Sequence, residues 1–272
     1  MIGGANRGVP RGAFAQAARV RSFEVGRGGV ISIGTILRYL EGIATEASAA
    51  LGFDFSWYER HGSAWVVREM DVLLGALPGI GDDLALATWV AESRRVQAQR
   101  DYAIHRRGTG RLVARASARW GYIDRVSGRP MQLQPELAAA IPVLGSGMRP
   151  RHPLQPDADT APVARGEWLL VAREYETDTQ QHINNCVYGD WLSEGLHLAL
   201  QAWPQAPAPQ TIRPRAYRIE YARPARAGAS MRVATTVWAH GSRGLHARQE
   251  IADATNSTLY LRARSDHLIA HR

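Results

Sequence analysis

The chain has 272 residues, of which 45% are hydrophobic and 21% are charged, and its formal net charge is +8. These values predict a globular protein with a sizeable core and room for about two domains of roughly 150 residues each. All 33 basic residues are arginines, which excludes the lysine of a Walker-type phosphate loop and that of a Schiff-base enzyme. Cys186 is the single cysteine, which excludes a disulfide framework and a zinc site built from several cysteines.

The chain divides into four segments. Residues 1–18 are a lead-in without the apolar core and cleavage signal of a signal peptide. Residues 19–145 form a first domain, residues 146–166 a linker rich in proline, and residues 167–272 a second domain. No run of about 18 or more apolar residues predicts a membrane span. The arginines are scattered and accompany no nucleic-acid-binding motif, so we expect a cytoplasmic protein without a nucleic-acid partner.

The two domains have the same order of predicted elements. Apolar residues at helical spacing predict a helix over residues 33–47, and a second helix over residues 191–200. Alternating runs then predict antiparallel strands at 64–74, 84–90, 96–105 and 111–122 in the first domain, and at 217–221, 231–238, 245–251 and 258–264 in the second. Each domain is therefore predicted as a strand, a long helix and then four or more antiparallel strands. A long helix wrapped by a curved antiparallel sheet is an α+β architecture, here present in two copies.

The copies differ most in the segment just before each helix. Residues 21–25 resemble residues 173–177, and the correspondence continues without a gap. Beyond them the second copy has these polar side chains: Asp178, Gln180, His182, Asn184 and Asn185. The matching residues of the first copy are Gly26, Gly28, Val30, Ser32 and Ile33. Because the first copy manages without such a cluster, the second copy is predicted to hold a functional site.

This segment carries a resemblance to a known family. Glu176-Thr177-Asp178-Thr179-Gln180-Gln181-His182-Ile183-Asn184-Asn185, followed by Tyr188 and Trp191, resembles the signature of hot-dog-fold thioesterases. The tandem arrangement is similar to the acyl-ACP thioesterase family, where ACP is acyl carrier protein. Further resemblance in the first domain lies at Trp65-Val66-Val67-Arg68, Thr88-Trp89, Arg100-Asp101-Tyr102, Trp120 and Leu133-Gln134-Pro135-Glu136-Leu137. The resemblance implies a double (tandem) hot-dog fold, with hydrolysis in the second domain and the acyl chain held largely by the first.

The resemblance also implies roles for individual residues. Its motif assigns catalytic roles to Asp178, Gln180, His182 and Asn184, and substrate contacts are expected from Asn185 and Glu194. A carboxylate can act as base or nucleophile, an imidazole can move a proton, and amides at the start of the next helix can stabilise an oxyanion. Other interpretations stay open: Asp178 as a turn cap, the asparagines as helix caps, Glu194 as a surface or interdomain residue, and Cys186 as a buried thiol rather than a nucleophile.

The sequence departs from the family's pattern at two places. Gln180 stands where the family has asparagine, which offers the same amide on a longer stem. Pro224 and Ala225 stand where the family has a glutamate and a cysteine, so activation of water would fall to Asp178 or Glu194.

The expected activity is hydrolysis of a fatty acyl-ACP thioester without cofactor or metal, by a monomer or homodimer. The alternatives are an acyl-CoA thioesterase and a protein that binds acyl thioesters without cleaving them. Because carrier proteins are acidic, Arg111, Arg115 and Arg119 on one predicted strand are a candidate docking patch. A solvated strand face is the more ordinary interpretation of these arginines.

Overall fold

The computed structural model describes residues 8–26, 28–145, 153, 160–241 and 243–270. Most of the predicted linker and the first seven residues of the lead-in therefore lie outside the described residues. The chain divides into two compact units, one of Met1–Ile31 and Ile36–Pro150, the other of Ser32–Thr35 and Arg151–Arg272.

The first unit is an antiparallel sheet with helices on it. Its elements are β1 (Phe14–Arg19), a 3-10 turn (Ser22–Glu24), α1 (Ile33–Ala49), α2 (Phe55–Arg60), β2 (Ser63–Leu74), β3 (Asp83–Arg94), β4 (Gln97–Arg106), β5 (Leu112–Asp124) and α3 (Pro135–Ala140). The strand order is β1-β3-β4-β5-β2. Helix α1 buries one apolar stripe, which comprises Ile36, Leu37, Leu40, Ile43 and Ala47.

The second unit repeats this topology. Its elements are β6 (Ala164–Val171), a 3-10 turn (Glu174–Glu176), α4 (Val187–Gln201), a 3-10 turn (Pro209–Thr211), β7 (Ile212–Tyr221), β8 (Ser230–His240), β9 (Gly244–Asp253) and β10 (Leu259–Ile269). The strand order β6-β8-β9-β10-β7 is that of the first unit, strand for strand. Both long helices and all the predicted strands are confirmed, because their periods of 3.6 and 2 are clear in the sequence.

Two strands begin inside segments that the sequence assigned to other roles. Strand β1 starts at Phe14, within the predicted lead-in, and β6 starts at Ala164, within the predicted linker. Strand β1 is a short, alanine-rich edge strand with mostly exposed residues, so it lacks the apolar alternation that marks a half-buried strand. The domain limits themselves stay a prediction.

Close packing fixes α4 on its sheet. A Cβ atom at Gly195 would lie 2.7 Å from Cγ1 of Val233, so only glycine lets the helix approach β8 this closely. The buried Gln249 side chain donates from Nε2 to the backbone oxygen of Leu192 at 2.9 Å and to Oγ1 of Thr235 at 3.0 Å. These contacts hold the helix that follows the polar segment. No helix in the described part of the chain is long and apolar enough to cross a membrane.

Candidate active site

The polar segment before α4 folds into a tight turn closed by Asp178. The Asp178 N–H donates to the His182 oxygen at 2.8 Å, and the Gln181 N–H donates to the Asp178 oxygen at 3.0 Å. Oδ1 of Asp178 accepts the N–H of Gln180 at 2.8 Å and the N–H of His182 at 3.3 Å. The carboxylate therefore caps the turn, as one of the sequence interpretations held, and lies directly beside the imidazole-bearing residue.

The first unit contains the same turn without the polar side chains. Gly26 donates to the Val30 oxygen at 3.1 Å, and Gly29 donates to the Gly26 oxygen at 2.9 Å. Gly29 has φ of 71°, and Gln181, its counterpart, has φ of 59°. A left-handed backbone is natural for glycine and strained for glutamine, by roughly 1–2 kcal/mol. The turn is thus available to a glycine-rich chain, and the second copy adopts it with polar residues instead.

A glutamate frames the turn in each unit. Oε2 of Glu176 accepts the Arg173 N–H at 2.8 Å, and Oε1 accepts the indole N–H of Trp191 at 3.2 Å. In the first unit, Oε2 of Glu24 accepts the Arg21 N–H and the Tyr39 hydroxyl, each at 2.7 Å. Glu176 therefore links the 3-10 turn to α4, and the polar turn lies between these two elements in the chain.

His182 is half-buried, and its imidazole makes no hydrogen bond within the described ranges of the chain. Burial lowers the pKa of His182, the Asp178 carboxylate opposes this shift, and the Arg226 guanidinium adds to it. A histidine whose pKa lies below its usual range is neutral at pH 7. The ring nitrogens are thus able to accept a proton or to hydrogen-bond a substrate.

The asparagines cap α4. Oδ1 of Asn184 accepts the Cys186 N–H at 2.8 Å, and the Asn184 backbone oxygen accepts the Val187 N–H at 3.0 Å. The backbone N–H groups of Cys186 and Val187 are therefore already bonded within the chain, while the expectation that the start of α4 stabilises an oxyanion stays a prediction. The Cys186 thiol is buried and donates to Oδ1 of Asn185 at 3.4 Å, which fits the buried-thiol interpretation. The Tyr221 hydroxyl donates a hydrogen bond to the Asn185 backbone oxygen at 3.3 Å.

Glu194, one of the two residues expected to replace the family's acid, lies away from the polar turn. Glu194 is exposed on α4, about 10 Å along the helix axis from its start, and no contact in the described residues joins it to the turn. Pro224 and Ala225, in contrast, lie beside the turn, because the Ile183 N–H donates to the Ala225 oxygen at 2.8 Å. The position that holds an acid in the family is therefore at the site and carries no carboxyl group here.

Sequence reasoning did not single out Tyr221, at the end of β7, or Arg226, in the loop after it. The Tyr221 hydroxyl bonds to the Asn185 backbone oxygen, and the Arg226 charge acts on His182. Neither residue had a local signal, because the hydrogen bond from Tyr221 spans 36 positions of the chain. No group of three or more His, Cys, Asp or Glu in the described ranges is placed to hold a metal ion.

The arginines of the candidate docking patch lie on or next to β5 and differ in their surroundings. Arg111 is exposed, Arg115 is half-buried, and Arg119 forms an ion pair with Glu69. Part of this charge is therefore already engaged within the first unit.

Comparisons with known proteins match this architecture. The family model of the acyl-ACP thioesterase N-terminal domain matches residues 12–141. A chloroplastic acyl-[acyl-carrier-protein] hydrolase from Cuphea viscosissima is 28% identical over 195 residues, which cover 66% of this chain and 46% of the relative. The chain thus spans about half the length of the curated relatives it matches.

Solved structures agree over almost the whole chain. A protein assigned as an oleoyl thioesterase, from Lactobacillus plantarum, has a TM-score of 0.81 at 17% identity, covering 98% of this chain and 100% of the other. The 12:0-ACP thioesterase from Umbellularia californica has a TM-score of 0.76 at 20% identity, covering 94% and 93%. At these identities the likeness concerns the fold alone.

A long helix on an antiparallel sheet, present twice with identical strand order and with a polar turn ahead of the second helix, defines a tandem hot-dog protein. The predicted α+β double hot-dog fold is confirmed. The resemblance to the acyl-ACP thioesterase family that the sequence motifs predicted is confirmed by the family model, which matches residues 12–141.

Proposed function

We propose that the protein hydrolyses the thioester of a fatty acyl group carried by ACP, releasing the free acid and the carrier thiol. The observation that carries this proposal is the polar turn, in which a half-buried imidazole without a hydrogen-bond partner in the described chain lies next to the Asp178 carboxylate. The match of residues 12–141 to the family model and the activity named for the Cuphea viscosissima relative support it.

In the proposed mechanism neutral His182 acts as the general base. It takes a proton from water as the water oxygen bonds to the carbonyl carbon of the thioester. The tetrahedral intermediate then collapses, the carbon–sulfur bond breaks, and the imidazolium returns its proton to the leaving thiolate. The negative charge of Asp178 stabilises the imidazolium, as the direction of its effect on the pKa of His182 requires.

The remaining polar residues have supporting roles in this proposal. The Gln180 side chain is half-buried, makes no hydrogen bond within the described chain, and supplies the amide donor for the developing oxyanion. Asn184 positions the helix start through its bond to the Cys186 N–H. Asn185 and Glu194 are proposed as substrate contacts, Asn185 beside the turn and Glu194 on the exposed face of α4.

A thiol-release assay on matched acyl-ACP and acyl-CoA substrates tests the proposal. We expect release from acyl-ACP by the wild type and a loss of kcat of roughly a hundredfold or more in His182→Ala and Asp178→Asn, as is usual for a general base and its partner. His240→Ala, at an exposed histidine of β8, is the matched control and keeps full activity. Release that neither substitution of the turn affects would contradict the site.

A protein that binds acyl thioesters without cleaving them is the second candidate, and one observation favours it. The residues beside the turn where the family has an acid and a thiol are Pro224 and Ala225. The variant Pro224→Glu distinguishes the two, because Pro224 is exposed and the substitution restores the family's carboxyl group at this position. If the wild type binds acyl-ACP without releasing thiol and Pro224→Glu releases it, the binding function is correct. If the wild type releases thiol, hydrolysis is correct.

The carrier preference follows from charge in this proposal. ACP is acidic, and a protein of net charge +8 attracts it more strongly at low ionic strength. Activity on acyl-ACP is therefore expected to fall with added salt, while activity on a neutral thioester analogue changes little. Equal responses would exclude electrostatic docking. A cytoplasmic location and a monomer or homodimer complete the proposal.

A further inference from the structure

The first unit contains a cavity of about 340 Å³ that is apolar on most of its wall. Its lining includes Phe14, Ala47, Leu51, Val90, Ile141 and Leu144. This volume lies at the lower end of the range for small-molecule sites, which are typically apolar with a few polar groups that fix the ligand. Three side chains of the wall have polar groups: Thr88, Trp89 and Arg100. The indole N–H of Trp89 is already bonded to the Gly145 oxygen at 3.0 Å, which leaves Thr88 and Arg100 to contact a ligand.

The guanidinium of Arg100 is held without a counter-ion. Its Nη1 donates to Oγ1 of Thr88 at 3.4 Å, which is a long bond, and Oγ1 of Thr88 itself donates to the Asp101 backbone oxygen at 3.0 Å. No carboxylate of the described chain lies within ion-pair distance of Arg100. Burial lowers the pKa of the Arg100 guanidinium, but an arginine stays charged in proteins.

The groups around this charge do not neutralise it. The Tyr58 hydroxyl, near Arg100, accepts the indole N–H of Trp65 at 3.1 Å, and the Tyr102 hydroxyl accepts that of Trp120 at 3.2 Å. Ala47, in the last turn of α1, also lines the cavity, and a helix C-terminus carries only about half a negative charge. A guanidinium has five N–H donors, so most of its donors have no acceptor in the described chain.

Arg100 is half-buried, so its charge stands in a largely apolar pocket where a carboxylate that replaces water would gain a charge-assisted, bidentate partner. We propose that the cavity of the first unit binds an apolar chain that ends in a carboxylate, with the carboxylate on the guanidinium of Arg100 and the chain along the apolar wall. A planar guanidinium matches a carboxylate through two parallel hydrogen bonds, and the apolar lining matches an alkyl tail. This inference concerns binding and does not depend on the proposed hydrolysis.

A carboxylate on an apolar chain has two sources: a free fatty acid, or the far end of an acyl group derived from a dicarboxylic acid. Binding of free decanoate to the protein, in the absence of any thioester, identifies the first source. A preference in kcat/KM for a thioester of a dicarboxylic acid over one of the matching monocarboxylic acid identifies the second. If neither the binding nor the preference is found, the proposal is wrong.

The decisive experiment compares decanoate with decanol and decylamine, which have the same tail and different head groups. We expect the wild type to bind decanoate at least tenfold more tightly than the other two, measured by calorimetry. In Arg100→Met the affinity for decanoate falls at least tenfold, while the affinity for decanol stays the same or rises. Arg107→Met, at an exposed arginine just after β4, is the matched control and leaves all three affinities unchanged.

Thermal unfolding separates binding from a structural role of Arg100. If Arg100 awaits a ligand, Arg100→Met melts at the same or a higher temperature than the wild type without ligand, because the substitution removes a half-buried charge that has no ion-pair partner in the described chain. Decanoate then raises the melting temperature of the wild type and not that of the variant. Equal affinity of the wild type for decanoate and decanol overturns the proposal, and this result needs no variant at all.

Discussion

The glutamate that frames each turn gives a prediction in which the chain is its own control. Glu176→Ala removes the acceptor of the Arg173 N–H and of the Trp191 indole, and also the ion pair between Glu176 and the Arg173 guanidinium, whose atoms lie 3.3 Å apart. Glu24→Ala removes the corresponding acceptor of the Arg21 N–H and the Tyr39 hydroxyl in the first unit. The two substitutions are chemically identical and differ in what they leave behind.

The burial of the orphaned donor decides the magnitude. Trp191 is 3% exposed, so its indole N–H would lose its acceptor away from water, which costs about 1–3 kcal/mol. The Arg173 groups are exposed, and the loss of their contacts adds about 1 kcal/mol. We expect Glu176→Ala to lower the free energy of unfolding by about 2–4 kcal/mol in total. Tyr39 is half-buried and its hydroxyl can bond to water, so Glu24→Ala is expected to cost about 1–2 kcal/mol.

Thermal unfolding of the two variants beside the wild type measures this difference. At a few degrees per kcal/mol, Glu176→Ala should lower Tm by roughly 5–12 °C and Glu24→Ala by clearly less. Activity adds a second measurement, because only Glu176 frames the polar turn: kcat/KM should fall in Glu176→Ala beyond any effect of Glu24→Ala. Equal losses of stability in the two variants would refute the argument from burial.

Three further predictions follow from the second unit. Because burial and Arg226 lower the pKa of His182, the acid limb of the pH profile of kcat/KM should lie below pH 6.5. Arg226→Gln should move this limb to higher pH, and Asp178→Asn should move it to lower pH. A limb that neither variant moves excludes His182 as the base. Burial lowers the pKa of His267 to about 4. Between about pH 6.5 and 4 the unfolded chain therefore binds a proton at this residue and the folded chain does not. The free energy of unfolding is expected to fall by about 3 kcal/mol as the pH falls through this window. Unfolding in urea at several pH values checks this, and His267→Phe should flatten the profile. Gln181→Gly should keep or raise stability and Gln181→Val should lower it by more than 1 kcal/mol, because φ at this position is positive; the reverse order in Tm would show that the turn has another shape.

The elements of the fold could be predicted because each long element shows its period in the sequence. Strand β2, for example, alternates buried and half-buried residues over much of its length, and α1 repeats its apolar residues on one face. The sequence predicts a strand before the first long helix but does not place it at Phe14–Arg19, because an edge strand of alanines and polar residues carries no alternation. The short helix α2 was also missed: it depends on the Asp54 side chain, whose Oδ1 accepts the Trp57 N–H at 2.8 Å, and on a small aromatic cluster around Trp57.

The composition of the candidate site could be predicted from the comparison of the two copies, but its electrostatics could not. The polar turn is local in sequence, so Asp178 and His182 stand out as soon as they are aligned with Gly26 and Val30. Burial is the main cause that lowers the pKa of His182, and the charge that adds to this shift comes from Arg226, which folding brings beside the turn after a long helix and a strand. No spacing rule connects residues that meet in this way.

The same comparison gives a physical reason to assign chemistry to the second turn. Glycines make this turn in the first unit without left-handed strain, and no half-buried titratable side chain accompanies them among the described residues 26 and 28–30. The second unit has Gln181 in a left-handed conformation and a half-buried imidazole with no hydrogen bond in the described chain, and each of these features lowers stability. Stability alone would favour the glycine version. The first unit makes the same turn with glycines and without these two unfavourable features. Their presence in the second unit is best explained by a substrate that contacts these residues.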